Sequence, residues 1–477
     1  MHFAIPDTQE LVDESNSIYV SYNVHINGLL HCTLRYRQFH NLHEELVKKF
    51  GPLLPAFPPK KFFPLTANQQ EERRVGLEKY LQIIGQTSVI YSSELFNRFF
   101  FNAQQELVCG IWEDEPLEVY IKNSIQTLTF SSKLNSGQVV KKIIDQGHLG
   151  AYFSLFIIAQ KVGDKVDIHT ILRKLEEFES PVITYKRMLT SGIRIFLTIR
   201  KNYWDIEHSI KLFTIPITRG FLIQEINADI ANDRVFFSAN IKFNQYILDK
   251  KKLSTRRLKY YGYLRFVPCR CDYPEPKSKV TVGIGNNELN LCILDHRNDT
   301  ELSCKITRIR CWRITTLSNV PTSIGWIDND QFNFELTFEY LFPDNKLQWI
   351  TISSNQAILM SVCLQSMIDE LVLKSTNDKQ EPESNDSWVH IKKDEQDRIV
   401  MENELVEDID QVKQVHERNG VQSNVQKLIG VVMSSFPLWT TRNRNNDKRT
   451  MVCRDSIEEY SDIVANNPFY MIGDDVL

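Results

Sequence analysis

The sequence predicts a multidomain α+β protein, and three observations carry that prediction. Near the N-terminus, strand-like runs come first and helix-like runs follow, joined by a Pro-rich crossover from Pro52 to Pro64. A second strand-rich block, Tyr263 to Ile352, is closed by one long helical run, Asn355 to Lys374. Beyond Ser375 the composition shifts: 377–412 is charge-dense and aromatic-poor, a composition that buries too little to fold, and an apolar island at 428–438, a short docking helix or an unstructured stretch, breaks the tail. With 477 residues, about two or three domains are expected.

The elements follow in order. Ile18 to Ile26 is β-rich, Asn27-Gly28 is a strong hairpin signal, and Leu29 to Arg35 returns as a second strand. Phe39, Leu42, Leu46 and Phe50 recur at helical spacing, and the Pro-rich loop ends that helix because proline cannot continue it. Further helices are predicted over about 67–86 and 92–105. A new unit starts near Pro116, with a hairpin over 117–130, a helix over 137–146 and a strand over 152–159; this order resembles a ubiquitin-like lobe ending near Lys201. Residues 203–261 read as mainly helical, with Leu222, Ile226 and Ile230 at four-residue spacing. Strands are then predicted at 279–284, 288–294, 302–316, 331–341 and 347–352. Strands with a closing helix describe a PTB-like or PH-like sandwich. Gly283 to Glu288 lacks the third glycine of a dinucleotide fingerprint and reads as a turn between strands.

Composition narrows the function. A net charge of −4 argues against a general nucleic-acid binder. In the first 108 residues acids and bases balance to within one, so attraction to an anionic surface must come from a local patch. Nine cysteines, with Cys269-Arg270-Cys271 the only close pair, complete no zinc ligand set; reduced, buried thiols in a cytosolic protein are expected, with no metal and no cofactor. No basic-then-apolar leader opens the chain, and no run of eighteen apolar residues spans a bilayer. Neither a phosphate-cradling Gly-Lys loop nor a Gly-x-Ser-x-Gly elbow is present, and His40 and His43 lack a carboxylate motif, so no enzyme is expected.

Three basic positions stand out. Arg35 begins an Arg35-Tyr36 pair at a strand end, Lys60 closes Pro55-Ala56-Phe57-Pro58-Pro59-Lys60, and Arg73 opens a helical run. Cations from three separate elements suit a phosphorylated ring, with the arginine fork binding a phosphate bidentately and Lys60 acting as a point charge. Phe62, Phe63 and Leu65 follow the lysines and suit insertion into the bilayer interface. This set resembles the 3-phosphoinositide site of a PX domain. The resemblance implies that Arg35 binds the 3-phosphate, Tyr36 stacks on the inositol, Lys60 binds the 1-phosphate and Arg73 binds ring hydroxyls. Arg37 stands where Ser or Thr is commoner, which bears on lipid selectivity.

Further segments carry a resemblance in the C-terminal half: Tyr260 to Phe266, Arg310 to Thr315, Phe338 to Leu341, Gln348 to Ile352 and Cys363 to Leu371. With the PX motifs they resemble the PX-FERM sorting nexin family, in its sorting nexin-17/sorting nexin-31 branch. On the closing helix, Met360, Cys363, Met367 and Leu371 form a packing stripe, and Leu364, Ile368 and Val372 form a second beside it, a wider apolar face than packing alone requires. By two-residue alternation Arg310, Trp312 and Ile314 share one face of a strand. A strand edge beside such a helix suits β-augmentation by an Asn-Pro-x-Tyr or Asn-x-x-Tyr peptide. The resemblance implies a cargo groove lined by Trp312, Ile368 and Val372, with Arg310 beside it.

The ending Asn467-Pro468-Phe469-Tyr470 is itself an Asn-Pro-x-Tyr sequence, suited to occupying that groove in cis. The last residues, Ile472, Gly473, Asp474, Asp475, Val476 and Leu477, resemble the tail through which this branch recruits the Retriever recycling complex.

The expected organisation is a PX domain at 1–108, a three-lobed FERM-like module at 115–201 (ubiquitin-like), 202–260 (helical) and 261–375 (PTB/PH-like), and a largely disordered tail at 376–477. The expected function is a cytoplasmic cargo adaptor, peripheral on early endosome membranes. It binds phosphatidylinositol 3-phosphate and receptor tails and promotes their recycling to the plasma membrane. The alternative is a phosphoinositide-anchored FERM scaffold linking membranes to small GTPases or the cytoskeleton.

Overall fold

The computed structural model describes residues 1–13, 15–61, 65–108, 115–121, 124–144, 147–160, 169–189, 193–237, 258–294, 300–318, 332–377 and 438–443. Residues 1–370 and 437–444 form one compact unit; 371–436 and 445–477 form a second, of which only the end of a helix is described. The expected disordered tail therefore lies almost entirely outside the described residues.

At the N-terminus, β1 (Phe3–Ala4), β2 (Thr8–Val12), β3 (Ile18–Ile26) and β4 (Leu29–Arg35) form an antiparallel sheet in which β3 pairs with the other three. Asn27 and Gly28 make the predicted hairpin turn, both with positive φ. Helix α1 (Tyr36–Phe50) buries Phe39, Leu42, Leu46 and Phe50, the four residues its spacing marks. Helix α2 (Ala67–Ile84) begins at a capping box, where Thr66 and Gln69 satisfy each other's backbone N–H groups. Short α3 (Ser88–Tyr91) and α4 (Glu94–Glu106) complete this domain.

The next lobe is a five-stranded sheet, ordered β6-β5-β9-β7-β8. Its strands are β5 (Glu115–Ile121), β6 (Ser124–Phe130), β7 (Phe153–Gln160), β8 (His169–Lys174) and β9 (Arg194–Lys201), with β5 and β9 parallel. Helices α5 (Ser136–Ile144) and α6 (Pro181–Leu189) belong to it. Helices α7 (Ile206–Leu212) and α8 (Pro216–Ala231) follow, and Leu212, Phe221 and Leu222 join the core of that lobe. Buried charges add to the contact: Arg200 on β9 bonds Glu225 (3.2 Å) and Asp229 (2.7 Å) on α8.

Strands β10 (Phe236–Phe237) and β11 (Leu258–Lys259) form a small separate pair. A nine-stranded sheet follows. It contains β12 (Leu264–Arg265), β13 (Cys269–Cys271), β14 (Ser278–Gly285), β15 (Glu288–Ile293), β16 (Thr300–Lys305), β17 (Ile309–Ser318), β18 (Phe334–Leu341) and β19 (Leu347–Ser353). Helix α9 (Ala357–Asn377) comes next, and the ninth strand is β20 (Leu438–Asn443). The single strand expected over 302–316 is instead two, because a 3-10 turn at Ile306–Arg308 breaks it into β16 and β17. Asn286 and Asn287, both at positive φ, form the expected turn between β14 and β15.

Helix α9 is wedged rather than laid on an open sheet. Trp312 on β17 donates its indole N–H to Ser361 Oγ (2.9 Å). Gln356, just before the helix, donates to the Ile171 carbonyl on β8 (2.6 Å). Tyr91 of the N-terminal domain donates to Asp369 (3.2 Å). Gly28 suits its turn because φ there is +82°, where a side chain is strained, and a Cβ would also crowd Ile358 Cδ1 on α9 at 3.0 Å.

Candidate functional site

The junction between β4 and α1 fixes the first basic residue. The Arg35 backbone N–H donates to Gln38 Oε1 (2.8 Å), so the strand ends and the helix begins around Arg35. Tyr36 opens α1, and its hydroxyl donates to the Pro58 carbonyl (2.8 Å), tying the Pro-rich loop to the helix. Arg73 comes from the second turn of α2 and places its guanidinium 4.2 Å from the centroid of the Tyr36 ring.

These residues share a space. Arg35, Tyr36 and Arg73 line one open cavity of about 1140 Å³, together with Arg37 and Leu65. The Arg73 guanidinium is held between the Tyr36 ring and the Tyr22 hydroxyl, with Nη2 buried. Burial pushes the nearby Tyr22 hydroxyl up, and the positive charge of Arg73 opposes that shift. Arg35 already has neighbours: its Nη2 is 3.2 Å from Asp13 Oδ2, and its guanidinium carbon is 3.2 Å from the centroid of the Tyr19 ring. Lys60 is exposed, two residues beyond Pro58, and is not among the side chains lining the cavity. Phe62 and Phe63 lie outside the described residues; Leu65 is half-buried on the cavity wall.

Sequence reasoning missed Asp13, Tyr19, Tyr22 and Gln38 in this cavity. Asp13 lies in an ordinary polar turn, and only the strand pairing of β2 with β3 brings it to Arg35. Chemically the cavity offers the guanidiniums of Arg35, Arg37 and Arg73 and the rings of Tyr19, Tyr22 and Tyr36, which suits a phosphorylated polyol.

The second candidate region is corrected in three respects. First, Arg310 does not share a face with Trp312. A β-bulge falls between Ile309 and Cys311, so Arg310 pairs with Glu339 on the opposite side of the sheet. Second, Trp312 is 2% exposed and belongs to the core, as does fully buried Leu364. Of the stripe that looked spare, Leu364 is therefore not free to line a groove. Third, the outer edge of β17 is not vacant. Strand β20 runs parallel along it from Arg313↔Leu438 to Ser318↔Asn443. An unpaired edge exposes a row of backbone donors and acceptors, and β20 satisfies them. Ile368 remains half-buried on α9, and Val372 stands one turn further along. The tail motifs at 467–477 lie outside the described residues.

Among the described residues no cluster of His, Cys, Asp and Glu could hold a metal ion, and no helix is long and apolar enough to cross a membrane. Cys269 and Cys271 are buried and free, with burial pushing both thiols up.

Three family models match. The PX domain covers residues 22–103, the F1 lobe of the sorting nexin 17/27/31 FERM domain covers 115–204, and the sorting nexin 17 FERM C-terminal domain covers 262–372. Sorting nexin-17 of Danio rerio is 39% identical over 396 residues, 79% of this chain and 82% of that protein. Sorting nexin-17 of Homo sapiens is 39% identical over 395 residues, 79% of this chain and 83% of that protein. Sorting nexin-31 of Homo sapiens is 31% identical over 386 residues, 78% of this chain and 86% of that protein. A PX domain implies phosphoinositide-membrane binding and a FERM-like domain implies protein-cargo binding; neither is an enzyme family. With its cation-lined N-terminal cavity, its FERM-like lobes and these matches along most of its length, the chain belongs to the PX-FERM sorting nexins.

Proposed function

We propose that this chain is an endosomal cargo adaptor. Its PX domain binds phosphatidylinositol 3-phosphate, and its FERM-like module binds Asn-Pro-x-Tyr or Asn-x-x-Tyr signals in receptor tails. The C-terminus hands cargo to a Retriever-type recycling complex for return to the plasma membrane. The observation that carries the lipid reading is the cavity that Arg35, Tyr36 and Arg73 line together. Each charge-assisted bond to a phosphate contributes about 1.5–3 kcal/mol. Lys60, exposed at the end of the Pro-rich loop, serves the phosphate that leads to the lipid tail. Phe62, Phe63 and Leu65 enter the bilayer interface.

For cargo, the supporting features are the outer edge of β17, able to pair with a strand, and the half-buried Ile368 on α9. A receptor tail adds along β17 and displaces β20 from that edge. Ile368 faces its aromatic side chains, whereas Trp312 supports the strand from beneath. The chain's own Asn467-Pro468-Phe469-Tyr470 competes for the same place.

The test is sedimentation of the full chain with vesicles containing phosphatidylinositol 3-phosphate or phosphatidylinositol. Selective binding to the first, lost in Arg35→Ala, is expected. Equal binding to both, or binding that survives Arg35→Ala, overturns the lipid reading. Titration with an Asn-Pro-x-Tyr receptor peptide separates adaptor from scaffold: no binding by the wild type or by a chain lacking 437–444 favours the scaffold.

A further inference from the structure

The phosphate position at Arg35 is contested by an anion of the protein's own. Asp13 Oδ2 stands 3.2 Å from Arg35 Nη2, while the Tyr19 ring supports the same guanidinium. This carboxylate is not a loose surface charge. Its other oxygen, Oδ1, accepts from Ser15 N–H (3.0 Å), Ser15 Oγ (2.6 Å) and Ser17 N–H (3.0 Å). Those bonds close the turn between β2 and β3, so one oxygen is committed to the turn and the other faces Arg35. The Ser15 hydroxyl first, then the Ser17 N–H, with Arg35 adding less, hold the Asp13 carboxyl down to about 2. Asp13 therefore stays charged across the physiological range.

The balance of charge around the cavity sharpens the point. Arg35, Arg37 and Arg73 line it, and so do Glu10, Asp13 and Glu106. Three formal positive charges thus face three negative ones. A single phosphomonoester brings about −1.5 to −2 charges at neutral pH. It already leaves the lining and ligand negative in sum, and a second ring phosphate deepens the deficit. Repulsion from a fixed carboxylate grows in proportion to the charge of the ligand.

We propose that Asp13 is a specificity-determining residue, a resident counter-ion of Arg35 that restricts the cavity to an inositol head group carrying one ring phosphate. This rests on the phosphoinositide reading of the cavity. The head group must displace Asp13 from Arg35, which lowers the affinity of every anion. It must then lie beside the displaced carboxylate, which penalises a more highly charged ring further. Arg37, at the exposed rim, attracts additional phosphates; Asp13 is the group that offsets it.

The experiment is calorimetric titration of the full chain, wild type and Asp13→Asn, with short-chain soluble phosphatidylinositol 3-phosphate, 3,4-bisphosphate and 3,5-bisphosphate. Asparagine keeps an acceptor oxygen for Ser15 and Ser17, so the turn is retained, and matching thermal melts check this. For the monophosphate, Asp13→Asn is expected to raise affinity by up to about fivefold, the range of a solvent-exposed ion pair. For the bisphosphates the gain is expected to be larger, on the order of tenfold or more, so selectivity for the monophosphate falls. An equal gain for all three ligands, no gain, or weaker monophosphate binding overturns the proposal. A wild type silent toward every head group removes the phosphoinositide reading itself, and the proposal with it. A wild type that binds, with selectivity unchanged in Asp13→Asn, removes only the role of Asp13.

Discussion

Replacing Trp312 separates a core role from a contact role. The indole is 2% exposed, lies on the core face of β17 opposite Phe338, and donates its N–H to Ser361 on α9. Truncating a buried Trp to Ala costs about 3–5 kcal/mol, because packing is lost and a cavity remains. Loss of the hydrogen bond adds about 1 kcal/mol by leaving a buried hydroxyl without that partner. For a folded unit of several lobes each kcal/mol shifts the melting temperature by about 2–4 °C, so a fall on the order of 10 °C is expected. Trp312→Phe keeps most of the volume and gives a much smaller fall. The assay is a thermal melt of the full chain by near-ultraviolet circular dichroism, with peptide titration well below the melt. Any peptide-binding loss in Trp312→Ala then tracks the melt, whereas Ile368→Ala weakens binding with little loss of stability. A Trp312→Ala variant that melts with the wild type but no longer binds peptide refutes the core assignment.

Other outcomes follow from the same contacts. Asp229 is 4% exposed and bonds both Arg200 and Arg234, so Asp229→Ala removes the carboxylate that two buried guanidiniums share, leaving Glu225 to Arg200 and the His169 carbonyl to Arg234, and costs about 3 kcal/mol; a melt within error of the wild type contradicts this. His31 is buried, its Nε2–H donating to the Phe100 carbonyl (2.9 Å), and burial holds its pKa down to about 3. The unfolded chain therefore takes up that proton first as pH falls below about 6.5, and stability drains at up to about 1.4 kcal/mol per pH unit between there and pH 3. His2, also buried and held down to about 3, drains stability over the same window, so the gap between melts at pH 7.5 and 5.5 should narrow, not close, in His31→Gln; an undiminished gap argues against His31 as a cause. Deleting residues 437–444 uncovers the edge of β17 and should raise affinity for an Asn-Pro-x-Tyr peptide severalfold; unchanged affinity means that β20 does not compete.

The elements legible in the sequence are those whose pattern is set locally. The helix of Phe39, Leu42, Leu46 and Phe50, the Asn27-Gly28 hairpin and the Leu222-Ile226-Ile230 helix have a periodicity or a turn chemistry that few alternatives share. Arg35, Tyr36 and Arg73 were legible as a set because three separate elements each carried a cation or a ring, and they share a cavity. What was not legible depends on long-range pairing. A single bulge after Ile309 turns Arg310 away from Trp312, and strict alternation gives no warning of it. The apolar stripe through Leu364 reads as spare until α9 is seen to be wedged among several lobes. Leu438–Asn443 holds strand-favouring Trp439, Thr440 and Thr441, but nothing local tells that it pairs with β17, more than a hundred residues away in sequence. Asp13 reaches Arg35 only through the β2–β3 register.

In the proposed adaptor, one chain grips a lipid and a receptor tail on the same surface. The direct measurement is binding of the full chain to vesicles carrying phosphatidylinositol 3-phosphate, a lipid-anchored Asn-Pro-x-Tyr peptide, or both. Linked sites raise the effective concentration of the second contact, so vesicles with both ligands should bind about 10²-fold or more tightly than vesicles with either alone. Arg35→Ala should return the doubly loaded vesicles to the peptide-only level. Binding to both ligands that merely equals the sum of the two contradicts the claim.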